Sequence, residues 1–512
     1  MLRFGRPLVA LTAVLFLGGV ARAQLGPPST SGGSQAAQLP LSGRSPQNGS
    51  VDAVQNPVPG ATQSVDTLTP AVQVQGPYGG STSSTAAKPF SGKLGFREAI
   101  ERGLAYNLGP VGLAQTVRQA QGASRATRSA LLPNVSASFT ETDETLNLRA
   151  LGIHFSVPGF SLPTVVGPFN YMDARATLAQ TVFDWTAINN YRSANEVLRS
   201  DQQGALNARD LVVLAVGGTY LQVLAAQARV ASARAQLDTA NALYQQALQQ
   251  RDAGVLAPID ADRSQVQALT EQQRLVSLQN DLAKQKINLA RLTGLPPTDQ
   301  YELADDIPFS AAPAIAFDDA LKQALDHRSD LQAAEDQVRA AERTHAAARA
   351  ERLPSIAINA NYGAIGTNPP QASTTYTLVG TLRVPIWQGG RTEGDIEQTD
   401  AELTQRRAEA EDLKSEIEAE VRTAYLDVQS AASQVEVAQR NLEVSRETLT
   451  LTRQRFDAGV AQSVEVVQTE QTVATAELDY INSVFAHNVA KLSLARAMGG
   501  ASEKLAQFLQ LR

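Results

Sequence analysis

Cysteine is absent from the 512-residue chain, and aromatic residues make up only 5% of it. Without cysteine the chain can form no disulfide framework, no thiolate metal site, no cysteine nucleophile and no lipid-modified N-terminal cysteine. A surplus of basic residues is also missing, since the formal net charge is −7, which argues against a nucleic-acid binder. What remains is a long, mildly acidic chain whose hydrophobic fraction, 43%, is enough to bury a large core.

Motifs for catalysis are also missing. The four histidines show no metal-ligand spacing with one another or with nearby acids: His154, His327, His345 and His487. There is no phosphate-binding loop, Ser nucleophile elbow or dinucleotide fingerprint, and Gly217-Gly218 lies inside a helical pattern, which favours close helix contact or a bend. We therefore expect no enzyme, no cofactor and no metal.

The N-terminus has the three zones of a secretory signal peptide, residues 1–23. Two arginines precede an apolar run from Leu8 to Val20, and Ala21-Arg22-Ala23 forms a small-residue cleavage site. No later segment approaches about 18 uninterrupted apolar residues, so we expect no transmembrane helix in the mature chain. Residues 24–88, rich in Gly, Pro, Ser and Gln, are predicted to form a disordered arm.

The rest of the chain consists of two repeats, residues 89–300 and 301–500, and a tail, residues 501–512. Three pairs of landmarks recur 205 residues apart: Tyr220-Leu221 with Tyr425-Leu426, Asp252-Ala253-Gly254-Val255 with Asp457-Ala458-Gly459-Val460, and Leu289-Ala290-Arg291 with Leu494-Ala495-Arg496. Each repeat predicts a helix, two strands, a very long helix, a turn and a second helix.

The predicted elements of the two repeats correspond one to one. Repeat one has a helix, two strands, a long helix and a return helix at Gly95–Leu131, Asn134–Leu148, Met172–Phe183, Ala187–Arg251 and Ile259–Thr293. Repeat two has them at Phe317–Leu353, Ser355–Ile365, Thr374–Ile386, Thr392–Asp457 and Val464–Met498. A helix of about 65 residues would be about 98 Å long and needs a partner along its whole length. The two shorter helices of a repeat, laid end to end, match that length.

Heptads on the second long helix support paired rods. Apolar residues recur every seven positions in two rows: Ile396, Leu403, Ala410, Ile417, Ala424, Ala431 and Ala438, then Val421, Val428, Val435, Leu442, Leu449 and Phe456. Such rows indicate a coiled-coil seam. A fibrous dimer would show the same seam, so the heptads do not name a function.

The strands alternate apolar residues with polar or small ones, as in Ile356, Ile358, Ala360 and Tyr362. Alternation over about ten residues is the weak signature of a membrane β-barrel strand, although hairpins of a soluble sheet show it too. Four strands per chain cannot close a barrel, and lipid does not tolerate open sheet edges. A membrane barrel would therefore need several copies of the chain.

This order of elements, written twice behind a signal peptide, resembles the TolC-like outer-membrane efflux protein family over about residues 94–500. The most specific match runs from Val384 to Arg391, where Pro385, Trp387, Gly389 and Gly390 are similar to the family's junction between barrel and tunnel. Repeat one departs from it, because Thr181-Val182-Phe183-Asp184-Trp185 lacks the glycine pair. The resemblance implies a homotrimer with one twelve-stranded transmembrane β-barrel, continuous with a long α-helical coiled-coil tunnel in the periplasm.

The turn between the long helix and its return helix is the second match. Gly254 and Gly459 suit the left-handed position that ends a helix, and Pro258 and Ser463 suit the start of the next. The resemblance implies that this turn is the periplasmic tip, where an adaptor docks. The residues that it assigns to that contact are Gly254, Val255, Phe456, Gly459, Val460 and Ala461.

Asp260 and Glu465 follow those glycines by six residues in both repeats. An acid in the first turn of a helix is favoured by the macrodipole in any protein, which is one interpretation. The resemblance gives the other, a pore constriction, because Glu465 lies where members place a ring-forming aspartate. Gln468 replaces the family's second acid, while Phe456 and Ala461 replace the tyrosine and arginine with which the best-known member latches its closed end.

The resulting hypothesis is the outer-membrane channel and periplasmic tunnel of a tripartite efflux or type I secretion system. Its implied partners are two further copies of the chain, a periplasmic adaptor, an inner-membrane pump or transporter and outer-membrane lipid, but no nucleic acid. The loop Arg149–Asn170 would face outside the cell. The alternative is a soluble periplasmic coiled-coil scaffold or adaptor, which explains the heptads and the signal peptide but not the repeated hairpins.

Overall fold

The structure is a computed structural model that describes residues 50–58, 67–82, 90, 92–152, 156–157, 160–161, 163–296, 301–305, 309–312, 315–458 and 460–502. The predicted signal peptide, most of the predicted arm and nearly all of the C-terminal tail lie outside the described residues. Gly459, assigned above to the tip, lies outside them too.

Eight α-helices and ten strands follow one another along the described chain. The helices are α1 Phe96–Tyr106, α2 Leu108–Ser129, α3 Trp185–Asp252, α4 Pro258–Thr293, α5 Phe317–His327, α6 Ser329–Ala350, α7 Arg391–Asp457 and α8 Ser463–Ala497. The strands are β1 Val51–Val58, β2 Thr67–Val74, β3 Lys93–Leu94, β4 Asn134–Asn147, β5 Ser156–Val157, β6 Phe160–Ser161, β7 Val165–Phe183, β8 Glu302–Leu303, β9 Ser355–Gly366 and β10 Ser373–Arg383.

Both long helices are confirmed, at 68 residues for α3 and 67 for α7, or about 100 Å each. Their partners are also as predicted, since α3 packs against α2 and α4, and α7 packs against α6 and α8. The predicted heptad rows of α7 are largely buried, with Ile417, Val421 and Val435 fully so. Apolar residues at heptad spacing thus hold the rods together.

The helices have a fixed lateral order in each half of the rod. In the half next to the sheet, the neighbours run α2, α3, α6, α7, and in the other half they run α4, α3, α8, α7. One lateral edge is therefore formed by α2 and α4 and the other by α7 along its whole length. The two repeats lie side by side through contacts of α3 with α6 and α8.

The first helix of each repeat is shorter than predicted, because each is interrupted. Gly95–Leu131 is divided at Asn107 and Phe317–Leu353 at Arg328, where the backbone is extended. The Asn107 side chain is buried, accepts a hydrogen bond from the Gly109 amide and donates one to the Tyr78 carbonyl, at 2.9 and 2.7 Å. Because the Asn107 side chain caps α2, the backbone can end α1 at this residue and begin a new helix.

The prediction that residues 24–88 are disordered is wrong for the part that the structure describes. Strands β1 and β2 form an antiparallel hairpin in register from Val51 with Val74 to Val58 with Thr67. Val51 and Tyr78 are buried in the main core with apolar residues of α1 and α3. The hairpin needs few apolar residues because it packs against the core formed by α1 and α3. The prediction from composition assumed that the segment would have to form a core of its own, so it missed the hairpin.

The main sheet has four antiparallel strands in the order β10, β9, β7, β4. The hairpins of the two repeats thus pair with each other through β7 and β9, and β4 and β10 are the edges of the sheet. Strand β7 begins at Val165, so the predicted loop Arg149–Asn170 is shorter than expected, and β5 and β6 form a small hairpin within it. The predicted end of the last strand, Ile386, is also corrected, because β10 ends at Arg383.

Helix α3 provides the centre of the core, where nearly every residue from Asp210 to Ala226 is buried. It is the one helix in the described part of the chain that is long and apolar enough to cross a membrane, but 83% of its apolar window is buried inside the fold. Gly217 and Gly218 lie in this stretch. A Cβ atom at Gly217 would lie 2.9 Å from Leu492 Cδ2 of α8, so the predicted close helix contact is confirmed there. A Cβ atom at Gly218 would lie 2.3 Å from Val72 Cγ2 of β2, so this glycine instead admits the β1–β2 hairpin.

Candidate functional site

The two faces of the four-stranded sheet differ in polarity. Residues that share one face by register are mostly apolar: Val135, Ala137, Ala176, Leu178, Ile358, Ala360, Tyr362, Tyr376 and Leu378. Residues on the other face are mostly hydroxyls and amides: Asn134, Ser136, Ser138, Thr177, Asn359, Asn361, Thr375 and Thr377. One apolar and one polar face is the pattern of a sheet between lipid and water.

The polar face carries a charged cluster that was not predicted from the sequence. The Arg175 guanidinium pairs with Asp173 at 3.1 Å and donates hydrogen bonds to Asn361 at 2.6 Å and Thr375 at 3.4 Å. These residues belong to β7, β9 and β10, so one side chain ties three strands together. The sequence shows only that polar residues alternate with apolar ones along each strand. This alternation does not tell which residues of neighbouring strands lie side by side.

The tip turns share a hydrogen bond between described residues at equivalent positions of the two repeats. Gly254 has φ 74°, and the amides of Gly254 and Val255 donate to the carbonyls of Arg251 and Gln250, both at 2.9 Å. This is the Schellman motif, which ends a helix with a left-handed residue. In repeat two, the Val460 amide donates to the Arg455 carbonyl at 2.9 Å, the equivalent bond.

The two tip acids lie in the first turns of the return helices, and each has an arginine of its own hairpin nearby. Asp260 Oδ1 lies 3.3 Å from Arg263 Nη1, and Glu465 Oε2 lies 3.7 Å from Arg455 Nη1. The Glu465 side chain keeps 45% of its surface exposed, and Gln468, one turn further along α8, is exposed. Both acids are therefore on the surface of one chain, where a neighbouring copy can approach them.

The remaining residues assigned to the tip divide into two groups. Val255 and Val460 are 79% and 70% exposed, unusual for valine, while Ala461 is half-buried. Phe456 instead lines a shallow pocket between the two hairpins with Leu256 and others: Leu243, Gln246, Ala247, Gln250, Ser264, Val466 and Val467. The aromatic ring is thus placed between the repeats, and the valines are free to contact another molecule.

The junction between sheet and rod in repeat two is an open turn. Trp387 is 85% exposed and Pro385 half-buried, while Gly389 and Gly390 have φ of 65° and 84°, which glycine adopts most readily. An exposed tryptophan beside an apolar sheet face is typical of the membrane interface. In repeat one, which lacks the glycines, Asp184 caps α3 by accepting from the Ala187 amide at 3.1 Å.

Gln388 fixes this turn to the rod. Its Oε1 accepts hydrogen bonds from Arg391 and Thr392 at 2.6 and 2.7 Å, and its Nε2 donates to the Glu351 carbonyl at 3.3 Å. The start of α7 is therefore joined to the end of α6. Gln388 lies within the Val384–Arg391 motif, but its contacts with α6 could not be predicted from the sequence.

A polar cluster in the core near the middle of the rod was also missed. His487 and Lys491 of α8 are fully buried, and Lys491 Nζ donates to the carbonyl and hydroxyl oxygens of Ser310 at 3.0 and 2.8 Å. Burial lowers the pKa of Lys491 to about 8, and burial together with the Lys491 charge lowers the pKa of His487 to about 4. Burial disfavours the charged form of both groups. The described residues contain no group of three or more potential metal ligands.

Comparison with known families gives a match over most of the chain. Residues 112–295 and 320–500 match the model of the outer membrane efflux protein family, one segment in each repeat. The β1–β2 hairpin lies before the first matched segment.

Two curated relatives are pyoverdine export outer membrane proteins named OpmQ. The protein from Pseudomonas putida is 28% identical over 289 residues, which are 54% of this chain and 58% of that protein. The protein from Pseudomonas aeruginosa is 26% identical over 290 residues, 55% of this chain and 59% of that protein. The aligned part thus spans less than two thirds of the length of these relatives.

Solved structures share the fold at low sequence identity. The CmeC outer membrane channel of Campylobacter jejuni has a TM-score of 0.70 at 13% identity and covers 89% of this chain and 97% of its own. The outer membrane protein VceC of Vibrio cholerae has a TM-score of 0.67 at 17% identity and covers 79% and 96%. The four-stranded sheet, the paired rods and the match of both repeats agree: this chain belongs to the outer membrane efflux protein family.

Proposed function

We propose that three copies of this chain form one outer-membrane channel that continues into a periplasmic tunnel, the passive exit duct of a tripartite efflux system. The observation that carries the proposal is the four-stranded sheet, which has an apolar and a polar face and two unpaired edges, β4 and β10. Lipid does not tolerate such edges, so β4 of one copy pairs with β10 of the next until the barrel closes. Three copies supply twelve strands, an ordinary barrel size.

The helical rods support closure of the same ring, because the outer helices of the rods lie on the same two sides of the chain as the edge strands of the sheet. Strand β4 follows α2 directly, and β10 leads into α7, so β4, α2 and α4 form one side of the chain and β10 and α7 the other. A head-to-tail contact between two different sides closes into a ring when the rotation permits it. Sheet and rods then close together.

Each free helical edge presents exposed apolar residues at heptad spacing. On α4 these are Ile259, Val266, Leu269, Val276 and Ile287, between 48% and 63% exposed. On α7 they are Leu426, Val437, Val444 and Leu451, between 48% and 69% exposed. Spacings of seven and eleven residues keep such side chains on one face of a supercoiled helix. We assign the two stripes to the contact between neighbouring copies.

The polar face of the sheet then lines the lumen, where hydroxyls, amides and the Arg175 cluster are hydrated. A water-filled lumen without a catalytic group conducts passively, so energy for transport comes from an inner-membrane pump. The exposed valines Val255 and Val460 at the tip provide the contact for a periplasmic adaptor that opens it. Asp260 and Glu465, repeated around the axis by three copies, form the constriction, where rings of carboxylates favour cations.

The name of the two curated relatives supports small-molecule export over polypeptide secretion. Both relatives are named as pyoverdine export proteins, and this name describes those two proteins and not the present chain. We propose efflux of small molecules for this chain and leave its substrate to the pump with which it assembles.

The test is fractionation of the mature protein followed by unheated gel electrophoresis and recording in planar bilayers. A detergent-extracted outer-membrane trimer that forms pores supports the duct, and a low conductance agrees with a tip that rests closed. A soluble periplasmic species without pore activity would contradict the proposal and favour the coiled-coil scaffold.

A further inference from the structure

The two hairpins of one chain, α3–α4 and α7–α8, meet along a line that we call the inter-hairpin seam, where α3 packs against α8 in the half of the rod that ends at the tip. In a trimer, six such hairpins surround the end of the tunnel. Its diameter can change only if hairpins move relative to one another, so contacts across this seam determine how easily the tip widens.

Two sets of side-chain hydrogen bonds cross the seam. Arg229 of α3 donates to Asn482 Oδ1 of α8 at 2.7 and 3.1 Å. Nearer the tip, Ser232 Oγ of α3 donates to Glu477 Oε2 of α8 at 2.6 Å, and Gln236 Nε2 approaches the same oxygen at 3.5 Å. In the described part of the chain, no further side-chain hydrogen bond or ion pair crosses between Glu477 and the tip.

Glu477 is also held from its own hairpin. Arg446 of α7 donates to Glu477 Oε1 at 2.8 Å, so one carboxylate joins α3, α7 and α8. The Glu477 side chain is 20% exposed. Burial opposes its ionisation, but the hydrogen bonds from Arg446 and Ser232 outweigh burial and hold the pKa of Glu477 below its usual value. A partly buried, charge-assisted bond is stronger than an exposed ion pair.

The seam is poorly filled between Glu477 and the tip. An open cavity there is lined by polar residues, among them Gln236, Glu271, Arg453 and Glu470, and by apolar ones, among them Leu449 and Val473. Glu271 is 6% exposed, its Oε1 accepts a hydrogen bond from Gln267 at 3.0 Å, and its Oε2 lies 3.8 Å from Arg274 Nη1 of the same helix. Glu470, from the opposite hairpin, pairs with Arg453 at 2.8 Å, while burial and the charge of Glu271 raise its pKa despite that pairing. Each of these acids is therefore paired with an arginine of its own hairpin, and neither pair joins the two hairpins.

We propose that Glu477 is the clasp that holds the two hairpins of each chain together, and that breaking its bond to Ser232 lets the tip widen. This inference rests on the proposed function, in which the tip is the gated end of a tunnel. The clasp lies 12 residues from Glu465 along α8, or about 18 Å.

The chain's lack of cysteine permits a direct test. Cysteines placed at the exposed positions Val255 and Val460, one on each hairpin, carry spin labels, and pulsed dipolar spectroscopy measures their separation in the detergent-extracted oligomer. Labelled chain is diluted with unlabelled chain so that each oligomer carries one pair. We expect Glu477→Ala to lengthen and broaden the distance distribution by several ångströms.

Ser232→Ala is the sharper variant, because it removes the bond across the seam and leaves the Arg446 pair within its hairpin. It should move the distribution in the same direction by less. The control is Glu443→Ala, which removes an exposed carboxylate of α7. Glu443 pairs with Arg440 of the same helix α7, and this pair does not cross the inter-hairpin seam. It should leave the distribution unchanged.

Distances in Glu477→Ala and Ser232→Ala that equal those of the wild type would overturn the clasp. If Glu477→Ala fails to fold, Ser232→Ala decides the question alone. Conductance of the same preparations tests the proposed function separately. A wild type that forms no pore contradicts the duct, whereas a conducting wild type with unchanged spin distances in both variants contradicts only the clasp.

Discussion

In the proposed channel, single side chains at the tip set the charge that a permeating ion meets. Glu465 is the acid most exposed among those assigned to the constriction, and Arg455 at 3.7 Å offsets part of its charge. Three carboxylates around one axis attract cations more strongly than one does, even when each has a neighbouring arginine. Glu465 can both interact favourably with the macrodipole of α8 and contribute to the proposed constriction, since both roles place the acid in the first turn of the helix.

We expect Glu465→Ala to reduce the cation preference of the pore, because it removes one charge per chain from the constriction. The measurement is the reversal potential of single channels in a salt gradient. Asp260→Ala should act in the same direction, and Glu443→Ala, far from the tip turn on α7, should not. An unchanged reversal potential in Glu465→Ala would show that the ring does not govern selectivity.

The buried His487 predicts an acid-dependent loss of stability. Its pKa is lowered from 6.5 to about 4 by burial and by Lys491, so the folded protein keeps the ring neutral where the unfolded chain binds a proton. The free energy of unfolding should therefore fall as pH decreases from about 6.5 to 4, with a limiting slope of about 1.4 kcal/mol per pH unit. Thermal unfolding from pH 7.5 to 5 measures this.

The variant His487→Leu removes the titration and nearly preserves the volume. We expect it to lose less stability between pH 7.5 and 5 than the wild type. An equal loss in both proteins would mean that other groups cause the acid sensitivity.

Among the secondary-structure elements, the β1–β2 hairpin depends on one glycine of α3. Gly218→Ala would place a methyl group 2.3 Å from Val72 Cγ2. Overpacking of this kind costs about 1–3 kcal/mol, more than the helix propensity that alanine adds. We expect a lower unfolding temperature and faster proteolysis of the hairpin, with partial rescue by Val72→Ala.

Gly204→Ala, on the same helix, is the matched control. Nothing lies within 4 Å of a Cβ atom there, so alanine should stabilise the helix by up to about 1 kcal/mol. If Gly218→Ala were as stable as Gly204→Ala, the hairpin would not be packed as described.

The sequence predicted these elements well where a period repeats many times. The heptads of α7 and the 205-residue offset located both rods to within a few residues, because each heptad adds independent evidence for one face. The divisions at Asn107 and Arg328 were missed, since each depends on one residue whose contact lies elsewhere in the fold. Tyr78, the partner of Asn107, lies in the segment predicted to be disordered.

The candidate site was predictable only where it lies in a local motif. The tip glycine and the first-turn acids follow from capping rules, and Gly254 has the expected left-handed backbone. The Arg175 cluster and the Glu477 clasp join residues that are 200 and 245 positions apart in sequence, respectively. Contacts at that separation depend on strand register and helix rotation, which no local pattern contains.

In the proposed trimer, the whole molecule is one segment of a ring, and one side of it packs against the opposite side of the next copy. Both the sheet and the rods end in the same two edges, and the helical edges carry apolar stripes on α4 and α7. A polar substitution in a stripe should therefore weaken assembly without unfolding the chain.

We expect Val444→Asp to reduce the trimer fraction strongly, because the carboxylate would be buried without a partner in the contact. The control is Gln439→Glu, which adds a negative charge to an exposed position on another face of the same helix. Size-exclusion chromatography with light scattering in detergent measures both. A trimer that tolerates Val444→Asp as well as Gln439→Glu would place the stripe outside the contact.

Closure of one barrel by three copies is tested most directly by the mass of the folded protein extracted from the outer membrane. Native mass spectrometry in detergent gives the number of chains without reference to function. We expect three chains per particle. A monomer, or a species that is recovered only from the soluble periplasmic fraction, would contradict it.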